Sequence, residues 1–561
     1  MPRGRKRPPQ ESVDSILLAM SRREDLDDDT LSRYLDLLDE EWLRGAREKV
    51  LHLLRTNDIS AHSAAVLILS ELATEDDLED MEDFVADPTV TDLAKLTLAP
   101  ILKDLGSEMA DDGILLYLND PEAAMQQMQM RLLELVGQSE LGVESILEDV
   151  LEMPLERRLA FIGWLGSSHD PRAANLLVPL LENSSTKVAE ASIEALEELG
   201  TIAAHQAIPA LNYLIGNSSN RAVKQRARAA LGRLTMQSVP GIENEALQAK
   251  RLQRLPLYES RVSFIDGVGS QMIMLSWRRP DGLLKGVNML YQDQWGIKDC
   301  YGTDEMDADH WSSLVGQMDE QGFGSFLVPV EYARALIAEA RVVNKRTRHR
   351  LPIAFAIWRP FIEDEEPLPK GALAQPTAVE PVAFSPEVER LAQRGDTLYD
   401  MAEFSSWLFE PFESLQPYIN RYWTNFALSE LSLDEQGTRG RGRKRGRGKT
   451  MPKEQVQYLE DIISEALADL ADEPWRSIYE ARLRRQAMLF KFSHRERDLE
   501  LVRAVATAVH PASGMAPTEQ PFLRNMMRLS IQQGPIRLLA EALETGQLGN
   551  VPLGLFPIEE E

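Results

Sequence analysis

Residues 187–200 read Lys-Val-Ala-Glu-Ala-Ser-Ile-Glu-Ala-Leu-Glu-Glu-Leu-Gly, and residues 222–232 read Ala-Val-Lys-Gln-Arg-Ala-Arg-Ala-Ala-Leu-Gly. Both place apolar residues at helical spacing, and both end on Leu-Gly, at Gly200 and Gly232. The same ending stands at Trp164-Leu165-Gly166, and upstream at Leu72-Ala73, Leu105-Gly106 and Leu135-Val136-Gly137. The small residues 73, 106, 137, 166, 200 and 232 are thus spaced by 33, 31, 29, 34 and 32. A period held over five steps is the mark of a repeat architecture.

Each unit reads as two helices. Ala173 to Leu181 is apolar at helical spacing, Asn183-Ser184-Ser185 breaks it, and Lys187 to Leu199 forms the partner. Ala207 to Ile215, the turn 216–220, and Ala222 to Leu234 repeat the plan. Pro179 and Pro209 fall at matching places, where a missing N–H predicts a kink. The glycines are read as helix ends, because glycine takes the left-handed conformation that closes a helix. Asp87-Pro88, Asp120-Pro121 and Asp170-Pro171 are read as helix starts, Asp capping free N–H groups and Pro suiting the first turn. Alanines 189, 191, 195, 222, 227, 229 and 230 let neighbouring helices approach closely.

An Asp-Pro, an apolar helix, a polar turn and an Ala-rich helix ending in Ala-Leu-Gly together resemble the HEAT repeat, most of all its short bacterial subtype named after phycobilisome lyases. The resemblance covers residues 34–235 and is strongest over 155–235. It implies a stacked α-solenoid with an extended binding surface. It implies no lyase chemistry, for the repeat has no shared catalytic motif.

The expected fold is therefore mainly α: a solenoid over 31–240, a small α+β domain over 250–362, and helices toward the C-terminus. In the middle domain, Val262–Ile265, Gln271–Trp277, Gly286–Tyr291 and Ile297–Tyr301 read as strands of an antiparallel meander. Asp266-Gly267 and Pro280-Asp281-Gly282 read as its turns. Helices are expected at Ala308–Gln321 and Pro329–Asn344, and a further strand at Ile353–Trp358. Residues 363–385 read as a linker, 386–431 as an aromatic-rich helical segment, and 452–545 as a helical domain broken near Pro511 to Pro521.

Charge is distributed unevenly. The chain of 561 residues carries a formal −28. Arg3, Arg5, Lys6 and Arg7 contribute +4 within a basic arm and leader over 1–30. Arg439, Arg441, Arg443, Lys444, Arg445, Arg447 and Lys449 contribute +7, leaving −39 on the remainder. Glycine and like charge oppose a packed core, so 437–451 is expected to be disordered. Both runs are candidate nucleic-acid contacts, since Arg forks reach phosphates and Gly lets the backbone lie close. They are similar to AT-hooks, but Lys6 and Lys444 stand where that motif has proline, which leaves a general polyanion preference. An acidic protein surface is the alternative target. A third basic patch comprises Arg341, Lys345, Arg346, Arg348, His349 and Arg350 at an expected helix C-terminus.

Other chemistry finds little support. Cys300 stands alone, so no internal disulfide or thiolate cage is expected, which fits a cytoplasmic setting. No two of the eight histidines are four residues apart, and no phosphate-cradling Gly-rich loop or Gly-x-Ser-x-Gly motif occurs. Asp304, Glu305, Asp307, Asp309 and His310 cluster before a helix, where the dipole favours negative charge. No apolar run reaches the roughly 18 residues of a membrane span, and no signal-peptide core follows the N-terminus. The expectation is a cofactor-free scaffold that binds a protein partner on the solenoid surface and is no enzyme, with an active site left open only for the domain at 250–362. The alternative is a protein associated with DNA or RNA through the basic runs.

Overall fold

The computed structural model describes residues 12–22, 28–56, 58–110, 112–138, 140–182, 185–237, 255–320, 324–363, 376–425 and 453–537. Two compact units divide at Gly137/Gln138. In the first, helices Val13–Ser21, Asp28–Glu40, Ala46–Leu54, Ile59–Leu72, Leu78–Ala86, Asp92–Asp104 and Pro121–Gln138 enclose a core that includes Trp42, Val50, Ile68, Val85, Leu98 and Leu102. Asp77 fastens one turn of it: its carboxylate accepts from Trp42 Nε1 at 3.2 Å, from Arg47 at 2.6 Å and from Thr74 N at 2.9 Å.

The second unit opens with three helix pairs. First helices are Glu140–Glu152, Ala173–Leu180 and Ala204–Asn217; second helices are Leu155–Ser167, Thr186–Leu199 and Arg221–Gln237. The repeat is real, but its small residues do different work from that expected. Gly106 and Gly200 end helices at φ 82° and 62°. Gly137, Gly166 and Gly232 lie inside helices instead. Gly166 is there for contact: a Cβ would stand 2.9 Å from Ala195 Cα, so a side chain would push the two second helices apart. Of the Asp-Pro pairs, Asp120 caps its helix by accepting from Ala123 N at 3.0 Å. Asp87 instead follows a helix and pairs with Arg55, while Asp170 holds a turn before Ala173.

The α+β domain is a five-stranded antiparallel sheet of order β4-β3-β2-β1-β5. Its strands are Leu257–Ser263 (β1), Ser270–Arg278 (β2), Leu284–Gln292 (β3), Gly296–Met306 (β4) and Ser325–Leu327 (β5). The register pairs Met274 with Arg261 and Met289 with Cys300. Strands β2 and β3 are buried nearly throughout because both faces are covered. Trp311 and Val315, on helix Ala308–Glu320, pack on Met274 and Leu284. Helix Val330–Thr347 lies against β4, β3 and β1.

Two expectations are corrected here, and one strand is added. Ile353–Trp358 is not a strand: residues Ile353–Ile362 form a helix begun at Pro352 and buried on most sides. The strand β5 was not anticipated. Residues 386–415 are not the amphipathic helix expected, though 416–425 are helical; residues 426–431 lie outside the described residues. Helix Pro386–Ala392 gives way to short 3-10 turns at Gly395–Asp400, Ala402–Phe404 and Phe412–Leu415. Trp407, Phe409 and Phe412 are buried among those turns, and Trp407 Nε1 donates to the Ile265 carbonyl at 2.9 Å.

Helices Lys453–Leu470, Glu473–Phe492, Glu496–Val509 and Pro521–Gln532 complete the second unit, with 3-10 turns between Pro511 and Glu519. Residues 376–385 run along them: the backbone of Val379 bonds Arg484 both ways, and Thr507 Oγ1 donates to the Val382 carbonyl.

Candidate functional site

Two surfaces of the helical repeats are well defined: one covered by the chain itself, the other open. The covered one lies on the first helices of the second unit. Helix Ile353–Ile362 packs against Glu140–Glu152 and Ala173–Leu180 and against β4. Trp358 Nε1 donates to Glu144 Oε2 at 2.7 Å. Arg359 pairs with Glu182, its guanidinium 3.7 Å over the Tyr213 ring. Arg341 pairs with Glu363 and donates to the Tyr213 hydroxyl. Lys285 pairs with Glu140 and, at 3.2 Å, with Asp304, its ammonium 4.7 Å over Phe361. Helices Glu140–Glu152 and Ala204–Asn217, and Glu182 just past the end of Ala173–Leu180, thus give polar groups to the α+β domain. Removing one partner of such a buried pair leaves an uncompensated charge, so the arrangement locks these parts together.

Glu144 sits in this seam at low exposure. Burial pushes its carboxyl above the usual Glu range, and the hydrogen bonds from Trp358 and the Gly302 backbone only partly offset that. The folded chain therefore holds this proton more tightly than the unfolded chain. Its contribution favours folding at low pH and is lost as the carboxyl takes its charge above the raised value. Glu144→Gln keeps an oxygen for Trp358 and removes that charge. The expected result is a higher urea midpoint than the parent at pH 7, with the difference shrinking toward pH 4. Equal midpoints at pH 7 would contradict it.

Cys300 is buried beside Glu144 and Asp299, and burial pushes its thiol up, so it stays a neutral thiol. Asp304 serves Arg279 and Lys285, and Asp307 caps helix Ala308–Glu320 by accepting from His310 N at 2.7 Å. Among the described residues, no group of three or more His, Cys, Asp or Glu is placed to hold a metal, and no helix is long and apolar enough to cross a membrane.

The open surface belongs to the first unit. Neighbouring cavities of about 430 and 360 Å³ share Leu93, Ala123, Gln127 and Arg131 and form one groove. Its walls are the starts of helices Ile59–Leu72 and Asp92–Asp104 and the stretch of Pro121–Gln138 from Ala123 to Glu134. Asp92 fixes the floor by accepting from Asn119 N and Nδ2 and from Asp120 N. His62, only 4 % exposed, has its Nε2 2.7 Å from the Thr56 carbonyl. Only a protonated Nε2 can make that bond, so in the neutral ring Nδ1 is an acceptor, and it has no partner. Gln126, Gln127, Met130 and Arg131 line the rim. Buried unpaired acceptors are uncommon, and this one belongs to a residue that lines the groove.

Residues 144–232 match the family model for HEAT repeats. This stretch is made of HEAT repeats. Repeats of this kind commonly serve as protein-interaction scaffolds. No curated protein and no solved structure matches the chain. The match begins within the first helix of the second unit, so the HEAT repeats are the part whose first helices the α+β domain covers.

Arg3, Arg5, Lys6, Arg7, Arg439, Arg441, Arg443, Lys444, Arg445, Arg447 and Lys449 lie outside the described residues. His62, Arg131, Glu144 and Trp358 were not singled out from the sequence. His62 and Arg131 are 69 positions apart and meet only through the fold.

Proposed function

We propose that this chain is a protein-interaction scaffold whose first unit binds a peptide segment of its partner in the groove between Leu93, Gln127 and Arg131. The observation that carries the reading is the groove itself, two neighbouring cavities lined by Gln126, Gln127, Met130 and Arg131 with His62 in its wall. Gln126 and Gln127 offer amide partners to a peptide backbone, and Met130, 52 % exposed, adapts to an apolar side chain. Between Ser12 and Gly137, 29 acidic residues face 10 Lys and Arg, so the surrounding field favours a cationic segment. The HEAT repeats contribute differently: with their first helices engaged by the α+β domain, they form a stiff support and keep their second helices for other contacts. A cytoplasmic setting fits the lone buried Cys300.

The test is photo-crosslinking from position 126 of the full-length chain in its native extract, followed by identification of the trapped peptide. Binding of that synthetic peptide is then measured for the parent and for Met130→Glu and His62→Leu. Both variants are expected to weaken binding about tenfold or more, the size of effect that central interface residues show. Unchanged affinity in both would remove the groove from the function.

A further inference from the structure

The tip of the β3–β4 hairpin and the end of helix Val330–Thr347 meet in a way that neither the HEAT repeats nor the first-unit groove accounts for. Gly296 turns the hairpin at φ 99°, with Asn344 so close that a Cβ would overlap its side chain. Asn344, 3 % exposed, clamps the tip: Oδ1 accepts from Ile297 N at 2.7 Å and Nδ2 donates to the Ile297 carbonyl at 3.1 Å. Thr347 Oγ1 adds a bond to the Trp295 carbonyl. Beyond Thr347 the chain takes the left-handed conformation at Arg348, φ 62°, which non-glycine residues adopt at a cost. That turn lays His349 on Trp295, ring centroids 3.5 Å apart and planes within 7°.

Trp295 remains 39 % exposed, and His349 Nδ1 is buried without a partner. Around the stack stand Lys345, Arg346, Arg348 and Arg350, all exposed and without an ion-pair partner among the described residues. The helix dipole accounts for Lys345 and Arg346 in the last turn. It does not account for Arg348 and Arg350, which lie past the helix end, nor for an exposed tryptophan held rigidly among four cations. In a chain of net charge −28, free cations grouped around an aromatic are a local exception to the field.

We infer that this patch binds single-stranded nucleic acid, one base stacking on Trp295 while Lys345, Arg346, Arg348 and Arg350 meet the flanking phosphates. An aromatic face beside a cationic track is the recognition chemistry of single strands, since every base has a π-face and the backbone charge is constant. Duplex DNA hides its bases and offers this platform only phosphates. The pre-set stack matters because the ring is already ordered before a base arrives.

The experiment is fluorescence anisotropy of the full-length chain with labelled oligo-U, oligo-dT and a duplex of equal length, each about 12 nucleotides. Single strands are expected to bind more tightly than duplex, and oligo-U against oligo-dT distinguishes RNA from DNA as the source. Four phosphate contacts predict a log–log salt slope of about −3, roughly a fiftyfold loss between about 50 and about 200 mM salt. Trp295→Ala is expected to weaken binding about tenfold with an unchanged slope, and Trp295→Tyr to restore most of it. Arg346→Glu with Arg350→Glu is expected to weaken binding and flatten the slope. Absence of binding, duplex binding as tight as single-strand binding, or equal competition by polyglutamate would overturn the proposal. So would affinity unchanged in all three variants, which would place the polyanion on the basic runs at 3–7 and 439–449 instead.

Discussion

Replacing Trp358 with alanine is expected to cost about 3–5 kcal/mol, the range for deleting a fully buried large aromatic. Its indole is buried between β4 and the first HEAT helix, and Gly302 is the residue that makes room for it. A Cβ at Gly302 would fall inside the indole, 1.8 Å from Cζ2. Gly302→Ala should therefore expel the ring and reproduce most of the loss without touching the tryptophan. Trp358→Ala also strips Glu144 of the donor that partly offsets its burial. The measurement is guanidinium unfolding followed by circular dichroism, paired with amide exchange. Exchange should rise in 140–182 and 353–362 in both variants, because helix Ile353–Ile362 holds the HEAT first helices through this residue and Arg359. If both variants stay within about 1 kcal/mol of the parent, the seam does not hold these parts together.

That helix is also where reading the sequence failed most instructively. Ile-Ala-Phe-Ala-Ile-Trp is short and apolar on every side, and periodicity cannot separate a buried helix from a buried strand over six residues. The tertiary setting decides: the sheet ends at β4, and the segment must fill the space between it and the repeats. The repeat itself was legible because helix pairs of similar length return a small residue every thirty or so positions. The reason for each was not, since Gly166 and Gly200 look alike in sequence while one admits a neighbouring helix and the other ends its own. The meander was legible through its alternation and turns, and Gly282 at φ 94° occupies the turn read from Pro280-Asp281-Gly282. Strand β5 has three residues, too few for any pattern. The aromatic run from Phe404 to Phe412 was visible as apolar, but its 3-10 turns follow from packing on Tyr479 and Trp475, far along the chain. The groove was illegible because three segments, around His62, Leu93 and Gln127, are each ordinary alone. The third basic patch was visible as charge, yet nothing in the sequence placed Trp295 beside it.

Arg482→Met is expected to destabilise the second unit by about 3–5 kcal/mol, the cost of stranding one member of a buried ionic cluster. Arg482, 4 % exposed, sends Nε to Asp293 Oδ2 at 2.7 Å and Nη2 to Oδ1 at 3.1 Å. Its fork also donates to the carbonyls of Gly267 at 2.6 Å and Val268 at 3.0 Å. One side chain thus ties helix Glu473–Phe492 to the β1–β2 turn and to the β3–β4 hairpin. Gly269, at φ 87°, leaves the space that the Asp293 carboxylate occupies, so this geometry is built from both turns. Methionine preserves bulk but leaves a carboxylate and two carbonyls without their donor. Asp293→Asn, by contrast, removes the charge while keeping an acceptor, and should cost less than half as much. The double variant should be more stable than the sum of the singles predicts, because the stranded carboxylate is gone; a coupling of about 0.5–3 kcal/mol is the range for residues in one network. Additive losses would mean that Arg482 acts through the backbone carbonyls alone, and a loss below about 1 kcal/mol would mean that the C-terminal helices are held by their aromatic contacts.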